Sequence, residues 1–269
     1  MLVIGENINA SNKSVGQAIS GKDRTVLENL ARAQAEAGAD YIDVNAGISQ
    51  GAWESQEAAM EWLVELVQSV TDKPLAIDSD VPTVIEAALA KYNGQKVIIN
   101  SVSAEPAKLD SIGSLAAERG AGVVALCMGA AGIPDNVEDR LKACDMIVEH
   151  LAALGVGEEQ IYFDPLVLPV SVDSMQGVIT LKTIQEIKKR HPSAKTVMGL
   201  SNISFGLPQR GLINRAFLLM AASAGLDAAI LNPLDAKIMA AARVADLLVG
   251  KDPACKSYIR AYRKGFLAE

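Results

Sequence analysis

The sequence predicts an α/β fold in which eight parallel strands close into a single (β/α)8 TIM barrel, and three observations support this. Short apolar runs alternate with longer stretches of helical periodicity eight times along the chain. Several helix-like stretches end in a glycine shortly before the next apolar run, at Gly38, Gly120 and Gly225, as the short connections of a barrel require. The 269 residues suffice for one barrel, which usually takes about 250. We therefore predict one domain over residues 1–269.

The strand candidates are short, nearly continuous apolar runs, which is the pattern of parallel strands whose two faces are both covered. In chain order they are Leu2–Glu6, Tyr41–Ala46, Leu75–Asp78, Val97–Ser101, Val123–Met128, Ile161–Leu166, Thr196–Ser201 and Ala228–Leu231.

The helix candidates lie between these runs. They are 24–37, 53–70, 82–92, 107–119, 137–154, 175–190, 211–224 and 235–249. In the first of them Val26, Leu30 and Ala33 recur at helical spacing and make one apolar face. Residues 251–269 are expected to form a final loop and helix outside the barrel.

An open doubly wound sheet is the alternative fold for such alternation. The glycine-rich G-x-G-x-x-G turn expected after its first strand is absent here, so the closed barrel is preferred.

The composition excludes several classes of protein. The net charge is -7 and no basic run appears, so no nucleic-acid partner is expected. No stretch of 18 apolar residues indicates a membrane span. Met1 leads directly into a strand-like run, so no signal peptide is expected. The three cysteines, Cys127, Cys144 and Cys255, lack CxxC spacing and fit free thiols in the reducing cytoplasm.

Polar residues follow or end the strand candidates, where TIM barrels bind their ligands. They are Glu6, Asn7, Asn9, Asp43, Asn45, Asp78, Asn100, Asp164, Ser201, Asn202 and Asn232. The set contains no His, Cys, Lys or Arg, and His150 and His191 lie elsewhere, so no metal site is predicted. Carboxylates and amides without cations suit a neutral heterocycle rich in N–H and C=O groups, and suit a phosphate poorly.

Asp and Asn at strand ends also form turns and cap helices, which is the structural alternative for each of these residues. Asp78 and Asp164 stand inside apolar sequence, where a buried carboxylate needs hydrogen-bond partners that a ligand with several N–H groups would supply. Asn202 follows an apolar run, and its amide can donate a hydrogen bond to a ligand nitrogen without carrying a permanent charge.

Six short motifs follow one another in the order found in pterin-binding methyltransferases. They are Ile4-Gly5-Glu6-Asn7-Ile8-Asn9, Asp43-Val44-Asn45-Ala46-Gly47, Ile77-Asp78-Ser79, Ile99-Asn100-Ser101, Asp164-Pro165-Leu166 and Gly199-Leu200-Ser201-Asn202-Ile203-Ser204. Over essentially its whole length the chain resembles the methyltetrahydrofolate:corrinoid-protein methyltransferase family. It is similar to the folate domain of cobalamin-dependent methionine synthase and, more distantly, to dihydropteroate synthase.

The resemblance implies a homodimeric TIM barrel with a pterin ring in its mouth. Asp78, Asn100 and Asp164 are then expected to hydrogen-bond the ring, and Asn202 to reach N5, the nitrogen that carries the methyl group. Ser201 is expected to contact the substrate.

Glu6, Asn7 and Asp43 are expected at the floor of the same pocket or just behind the residues that contact the ring. A family relative carries Gln three residues after the N5-contacting Asn, whereas this chain has Phe205, so an apolar or stacking wall is expected there.

The implied reaction moves a methyl group between N5 of tetrahydrofolate and the cobalt of a corrinoid. The D-x-H-x-x-G signature of a corrinoid site is absent, so we expect no tightly bound cofactor and a separate, transiently docked corrinoid protein (a cobalamin carrier). The direction of transfer stays open.

Three other functions stay open at this point. They are a non-catalytic pterin-binding subunit of a methyltransferase complex, a dihydropteroate synthase-like enzyme, which would need cations for a pyrophosphate, and an unrelated barrel whose Asp and Asn residues are caps.

Overall fold

Eight parallel strands pair in sequence order and the eighth closes on the first, so the predicted TIM barrel is confirmed. The structure is a computed structural model and describes residues 1–47 and 53–267. The strands are β1 (Leu2–Asn9), β2 (Tyr41–Asn45), β3 (Leu75–Asp78), β4 (Val97–Val102), β5 (Gly122–Leu126), β6 (Ile161–Asp164), β7 (Lys195–Gly199) and β8 (Ala228–Leu231).

Helices surround this barrel on its outer face. They are α1 (Lys13–Ser20), α2 (Arg24–Ala37), α3 (Gln56–Gln68), α4 (Pro82–Lys91), α5 (Pro106–Arg119), α6 (Val137–Ala153), α7 (Gln176–Arg190), α8 (Arg210–Ala224), α9 (Ala236–Leu248) and α10 (Lys256–Arg263). None of the helices in the described ranges is long and apolar enough to cross a membrane.

Helix α2 shows how the sequence sets the element ends. Asp23 caps its first turn by accepting a hydrogen bond from the backbone N–H of Val26 at 3.3 Å. Gly38 ends it at φ 101°, a conformation that favours glycine. Gly120 and Gly225 also take positive φ at helix ends, so the predicted helix-glycine-strand connections are confirmed.

The core has an inner and an outer layer. The inner layer takes one buried side chain from each of seven strands, at Ile4, Ala76, Ile98, Val124, Tyr162, Val197 and Ala228. The outer layer lies between the strands and the helices and contains most of the buried aliphatic side chains. Because the inner layer fills the barrel with hydrocarbon, a ligand can enter only at an end of the barrel.

Several predicted boundaries are wrong, and two of them affect the site. β1 continues to Asn9, past the predicted end at Glu6. β7 ends at Gly199, and Leu200–Ser204 form a 3-10 turn. Ser201 and Asn202 therefore lie on a turn after the strand, not on the strand.

Helix α1 was not predicted from the sequence. It is short and begins after Asn12, whose side chain caps it by accepting from the N–H of Ser14. The final loop and helix are confirmed as far as residue 267, because α10 follows α9 and buries Ala261.

Candidate functional site

A cavity of about 790 Å³ opens at the carboxyl ends of the strands, and the seven residues predicted to be catalytic or substrate-binding line it. They are Glu6, Asp43, Asp78, Asn100, Asp164, Ser201 and Asn202. Asn7, Asn9 and Asn232 line it as well. The predicted candidates therefore form one site.

The two-residue repeat of a β-strand explains why these side chains converge. Residues i and i+2 point to the same face, so Asp78, Asn100 and Asp164 stand directly above the inner-layer residues two positions earlier on the same strands. Each of these three strands places an inner-layer side chain inside the barrel and a polar group at its mouth.

On the side of strands β2 to β4, carboxylates and amides hydrogen-bond one another across strands. Asn100 Nδ2 donates to Asp43 Oδ2 at 3.1 Å. Asp78 Oδ2 accepts from Asn45 Nδ2 at 2.8 Å and from Asn9 Nδ2 at 3.4 Å. These contacts join residues far apart in sequence, so the two aspartates are not helix caps.

Asn9 and Asn45 each form a local turn and also contribute to the site. Each side-chain oxygen accepts from a backbone N–H two residues later, at Ser11 and Gly47, while each side-chain nitrogen donates to Asp78. A local turn thus holds each amide in place for its contact with the carboxylate.

Burial raises the pKa of Asp43 well above its usual value, and the nearby charge of Asp78 raises it further. Burial also raises the pKa of Asp78, and the hydrogen bond from Asn45 opposes this. Because burial shields these two carboxyls from water, they favour a ligand that brings N–H donors.

Burial raises the pKa of Asp164 to about 6, while the N–H of Leu166 and the guanidinium of Arg140 act in the opposite direction. Leu166 N donates to Asp164 Oδ1 at 2.8 Å. Buried Arg140 donates to the carbonyls of Pro165 at 2.6 Å and Leu166 at 3.2 Å, and so holds the loop that carries the carboxylate. Sequence reasoning missed Arg140, because its role depends on a loop from another unit of the barrel.

A second pair of groups meets across the closure between β1 and the turn after β7. Ser201 Oγ donates to Glu6 Oε1 at 3.1 Å. Burial raises the pKa of Glu6, and Ser201 and Arg210 oppose that shift.

Arg210 adds to the mouth a cation that the set of strand-end residues does not contain. Although no strand end carries a cation, Arg210 is the first residue of α8 and lines the cavity. It donates to Ser201 O at 2.6 Å and to Ser204 Oγ at 3.0 Å. The argument from strand ends could not include a residue that reaches the mouth from a helix.

Asn202 is exposed on the 3-10 turn, and within the described ranges no group hydrogen-bonds its side-chain amide. Its Nδ2 lies against Gly199, where an added Cβ would approach it to 3.2 Å. Glycine at the end of β7 therefore leaves room for the amide beside the barrel axis. The amide is available to a ligand.

Two further amide oxygens line the cavity, one on Asn7, which was expected at its floor, and one on Asn214, which was not assigned a role from the sequence. Asn7 Oδ1 and Asn214 Oδ1 are buried, and no hydrogen-bond partner for them occurs in the described part of the chain. A ligand N–H or O–H would satisfy either of them.

A smaller cavity of about 240 Å³ shares Asp164 and Asn202 with the main one. Its other walls are apolar and come from Ile133, the loop after β6 and Phe205. Phe205 is 64 % exposed, so the apolar wall expected in place of an amide is present beside Asn202.

The two histidines and the cysteines lie outside these cavities. His150 hydrogen-bonds Asp110 at 2.7 Å and His191 hydrogen-bonds Asp145 at 3.0 Å. All three cysteines are free thiols, and Cys127 and Cys144 are buried.

Comparison with known proteins identifies relatives by sequence and by fold. The model of the family of pterin binding enzymes matches residues 5–232. A methylcorrinoid:tetrahydrofolate methyltransferase of Eubacterium limosum is 35% identical over 98% of this chain and 97% of its own length. Methionine synthase of Mycobacterium leprae is 31% identical over 86% of this chain, which spans only 20% of that enzyme.

Among solved structures, a dihydropteroate synthase from Coxiella burnetii in complex with pteroic acid superposes with a TM-score of 0.71. It is 14% identical, and 91% of each chain is covered. A dihydropteroate synthase from Xanthomonas albilineans gives a TM-score of 0.68 at 20% identity, with 94% of this chain and 93% of that chain covered. At these identities the likeness concerns the fold.

Proposed function

The chain belongs to the family of pterin binding enzymes, and on that premise we propose that it is a methyltransferase acting between N5 of tetrahydrofolate and the cobalt of a corrinoid. The observation that carries the proposal is the side-chain amide of Asn202, which has no hydrogen-bond partner among the described residues and lies at a cavity rich in carboxylates and amides. The name of the relative that matches over nearly its full length supports the same reaction.

The carboxylates are suited to hold the pterin ring. A pterin presents several N–H donors and carries no charge, so it can add donors to those that Asp78 and Asp164 already have and offset the cost of burying the two carboxylates. Asn100 is fixed by its bond to Asp43 and offers an amide oxygen to the same ring. The ring then lies across the ends of β3, β4 and β6.

Asn202 acts on the reacting nitrogen. As the bond between N5 and the methyl carbon breaks, the methyl group passes to Co(I). The electron pair of that bond stays on N5, which becomes more basic. A neutral amide can donate a hydrogen bond to that developing charge. A donor that binds the transition state more strongly than the ground state raises kcat.

The corrinoid is the second substrate and arrives on a separate protein. The small cavity beside Asn202 is lined by Ile133 and Phe205, and Val172 on the adjoining loop is 82 % exposed. Ser171 Oγ donates to Phe205 O at 2.6 Å, so the segment that carries Val172 lies beside Phe205. Exposed apolar side chains grouped at a site are typical of a binding surface.

The alternatives are less well supported. Arg210 brings a cation to the mouth, as a dihydropteroate synthase-like enzyme would require, but it is bound to Ser201 and Ser204. Dihydropteroate synthases match this chain at 14% and 20% identity, below the 35% and 31% of the methyltransferase and methionine synthase relatives.

Mixing the chain with methyltetrahydrofolate and free cob(I)alamin tests the proposal, with the cobalt absorbance as the measurement. We expect loss of Co(I) and formation of methylcobalamin. Binding of tetrahydrofolate without any change at cobalt, also with protein-bound corrinoids, would instead indicate a non-catalytic pterin-binding subunit.

Three further predictions from the sequence belong to this proposal: one domain over residues 1–269, a homodimer, and a cytoplasmic location. Light scattering on the purified chain tests the second, with a mass twice that of one chain as the expected result.

A further inference from the structure

We propose that Glu6 and Ser201 form the proton path to N5, with Glu6 holding the proton and the Ser201 hydroxyl passing it to the ligand beside Asn202. This inference rests on the proposed methyl transfer and supplies what that reaction lacks, because Asn202 can donate a hydrogen bond but cannot deliver a proton.

The geometry connects the three residues. Ser201 Oγ lies 3.1 Å from Glu6 Oε1, and both side chains line the main cavity. Ser201 directly precedes Asn202 in the same 3-10 turn. Arg210 binds the carbonyl of Ser201 at 2.6 Å and the hydroxyl of Ser204 at 3.0 Å, so both ends of the turn are held in place.

The nature of the partner distinguishes Glu6 from the other acids at the mouth. Asp43 and Asp78 are hydrogen-bonded by side-chain amides, and Asp164 by a backbone N–H. An amide donates its hydrogen without passing a proton onward, whereas a hydroxyl has a hydrogen and two lone pairs and can do both. Within the described ranges, Glu6 is the cavity carboxyl that is hydrogen-bonded by a hydroxyl.

Charged groups on several elements face Glu6. Arg210 at the start of α8 acts to lower the pKa of Glu6. The charge of Glu6 in turn helps to raise the pKa of Asp43 on β2. Asp78, Asp164 and Asp235 line the same cavity. Burial outweighs the effects of Ser201 and Arg210, so the pKa of Glu6 lies above its usual value and the carboxyl retains its proton closer to neutral pH.

The step balances without another reactant. When the methyl group leaves for Co(I), the electron pair of the broken bond stays on N5. When Glu6 is protonated, its O–H donates to Ser201 Oγ, which reverses the hydrogen bond that the hydroxyl makes to the ionised carboxylate and leaves the Ser201 hydrogen free for N5. That hydrogen then moves to N5 as the proton of Glu6 moves to Ser201 Oγ, which leaves a carboxylate that solvent reprotonates. Transfer in the opposite direction reverses each movement.

The experiment measures single-turnover methyl transfer from methyltetrahydrofolate to free cob(I)alamin from mildly acidic to mildly alkaline pH. Wild type is compared with Ser201→Ala, Ser201→Thr and Glu6→Gln. We expect Ser201→Ala and Glu6→Gln to lose about 10²-fold in rate, at the low end for a general acid, with a flattened pH profile and little change in the Kd for methyltetrahydrofolate. Ser201→Thr keeps a hydroxyl and should recover most of the rate.

A Ser201→Ala variant with the wild-type rate and pH profile overturns the proton path while leaving the methyltransferase proposal intact. Failure of Ser201→Thr to exceed Ser201→Ala overturns it too, because the hydroxyl is then not the group that matters. Absence of transfer by the wild-type chain refutes the methyltransferase proposal, and the proton path with it. The Ser201 variants keep the test independent of whether Glu6→Gln folds.

Discussion

The two sides of the barrel mouth differ in how much of their hydrogen bonding is already complete. On the side of β2 to β4, Asp43 and Asp78 are bound by amides from neighbouring strands. On the side of the turn after β7, Asn202 is exposed and its amide has no hydrogen-bond partner within the described residues. We infer that the first side is assembled to bind a ring, and that the second keeps a donor available for the atom that reacts.

The largest expected effect follows from removing that donor. Asn202→Ala should lower the rate of methyl transfer to cob(I)alamin by about 10²–10³-fold, as loss of one preorganised donor does, or about 2.7–4 kcal/mol. The affinity for methyltetrahydrofolate should fall less, because the ring is held from the other side. Stopped-flow absorbance at cobalt measures the rate.

Asn29→Ala is the matched control, because Asn29 is an exposed asparagine on α2, outside the main cavity. Equal rates for Asn202→Ala and wild type would remove the catalytic role of the amide.

The next effect concerns the side of β2 to β4, where the carboxylates are already hydrogen-bonded. Asp78→Asn should weaken binding of tetrahydrofolate by about tenfold to a hundredfold, because a hydrogen bond to a charged group contributes about 1.5–3 kcal/mol. The turnover rate at saturating substrate should change much less. Isothermal titration calorimetry gives the affinity.

Asp80→Asn provides the comparison for this prediction. Asp80 lies two residues further, is 81 % exposed and pairs with Lys108 at 3.7 Å. Unchanged tetrahydrofolate affinity in Asp78→Asn would show that the carboxylate does not hold the ring.

A smaller effect is expected in the pH dependence of stability. The pKa of Asp164 is about 6 in the folded protein, above the usual value of about 3.9 in an unfolded chain. The folded state therefore binds this proton more tightly, so its contribution is fully present below pH of about 4 and is lost as pH rises through about 6.

Asp164→Asn removes this dependence. Relative to wild type, the variant should gain up to about 2 kcal/mol in free energy of unfolding between acidic and neutral pH, a discounted value because the side chain lines an open cavity. Urea unfolding at several pH values measures the difference. A difference that is constant with pH contradicts the assigned pKa.

The smallest effect concerns the corrinoid carrier. Val172→Asp places a charge on the exposed apolar surface near Phe205, and should raise KM for a corrinoid protein about fivefold, or about 1 kcal/mol. The rate with free cob(I)alamin should not change. Leu248→Asp, on an exposed apolar residue at the end of α9, should affect neither. Equal KM values in all three proteins would place the docking surface elsewhere.

The sequence predicted the barrel and the converging acids because both depend on local periodicity. Strand β3 and helix α2 have the predicted bounds, since apolar runs and helix caps depend on residues close together in the sequence. Asp78 and Asp164 could be identified because each interrupts apolar sequence at a strand end.

Contacts between separate units of the barrel could not be predicted in the same way. Arg210 contacts Ser201 from the start of α8, directly after Gln209, which takes a positive φ of 53°. The bond between Ser201 and Glu6 joins residues 195 positions apart. Both depend on how the last strands close on the first.

The most direct test of the division between the two sides is to measure Kd for methyltetrahydrofolate and the single-turnover methyl-transfer rate in both Asp78→Asn and Asn202→Ala. The account predicts that Asp78→Asn mainly raises Kd and that Asn202→Ala mainly lowers the rate. If both substitutions change Kd alone, or if both change the rate alone and by the same factor, the two sides of the mouth do not have separate roles.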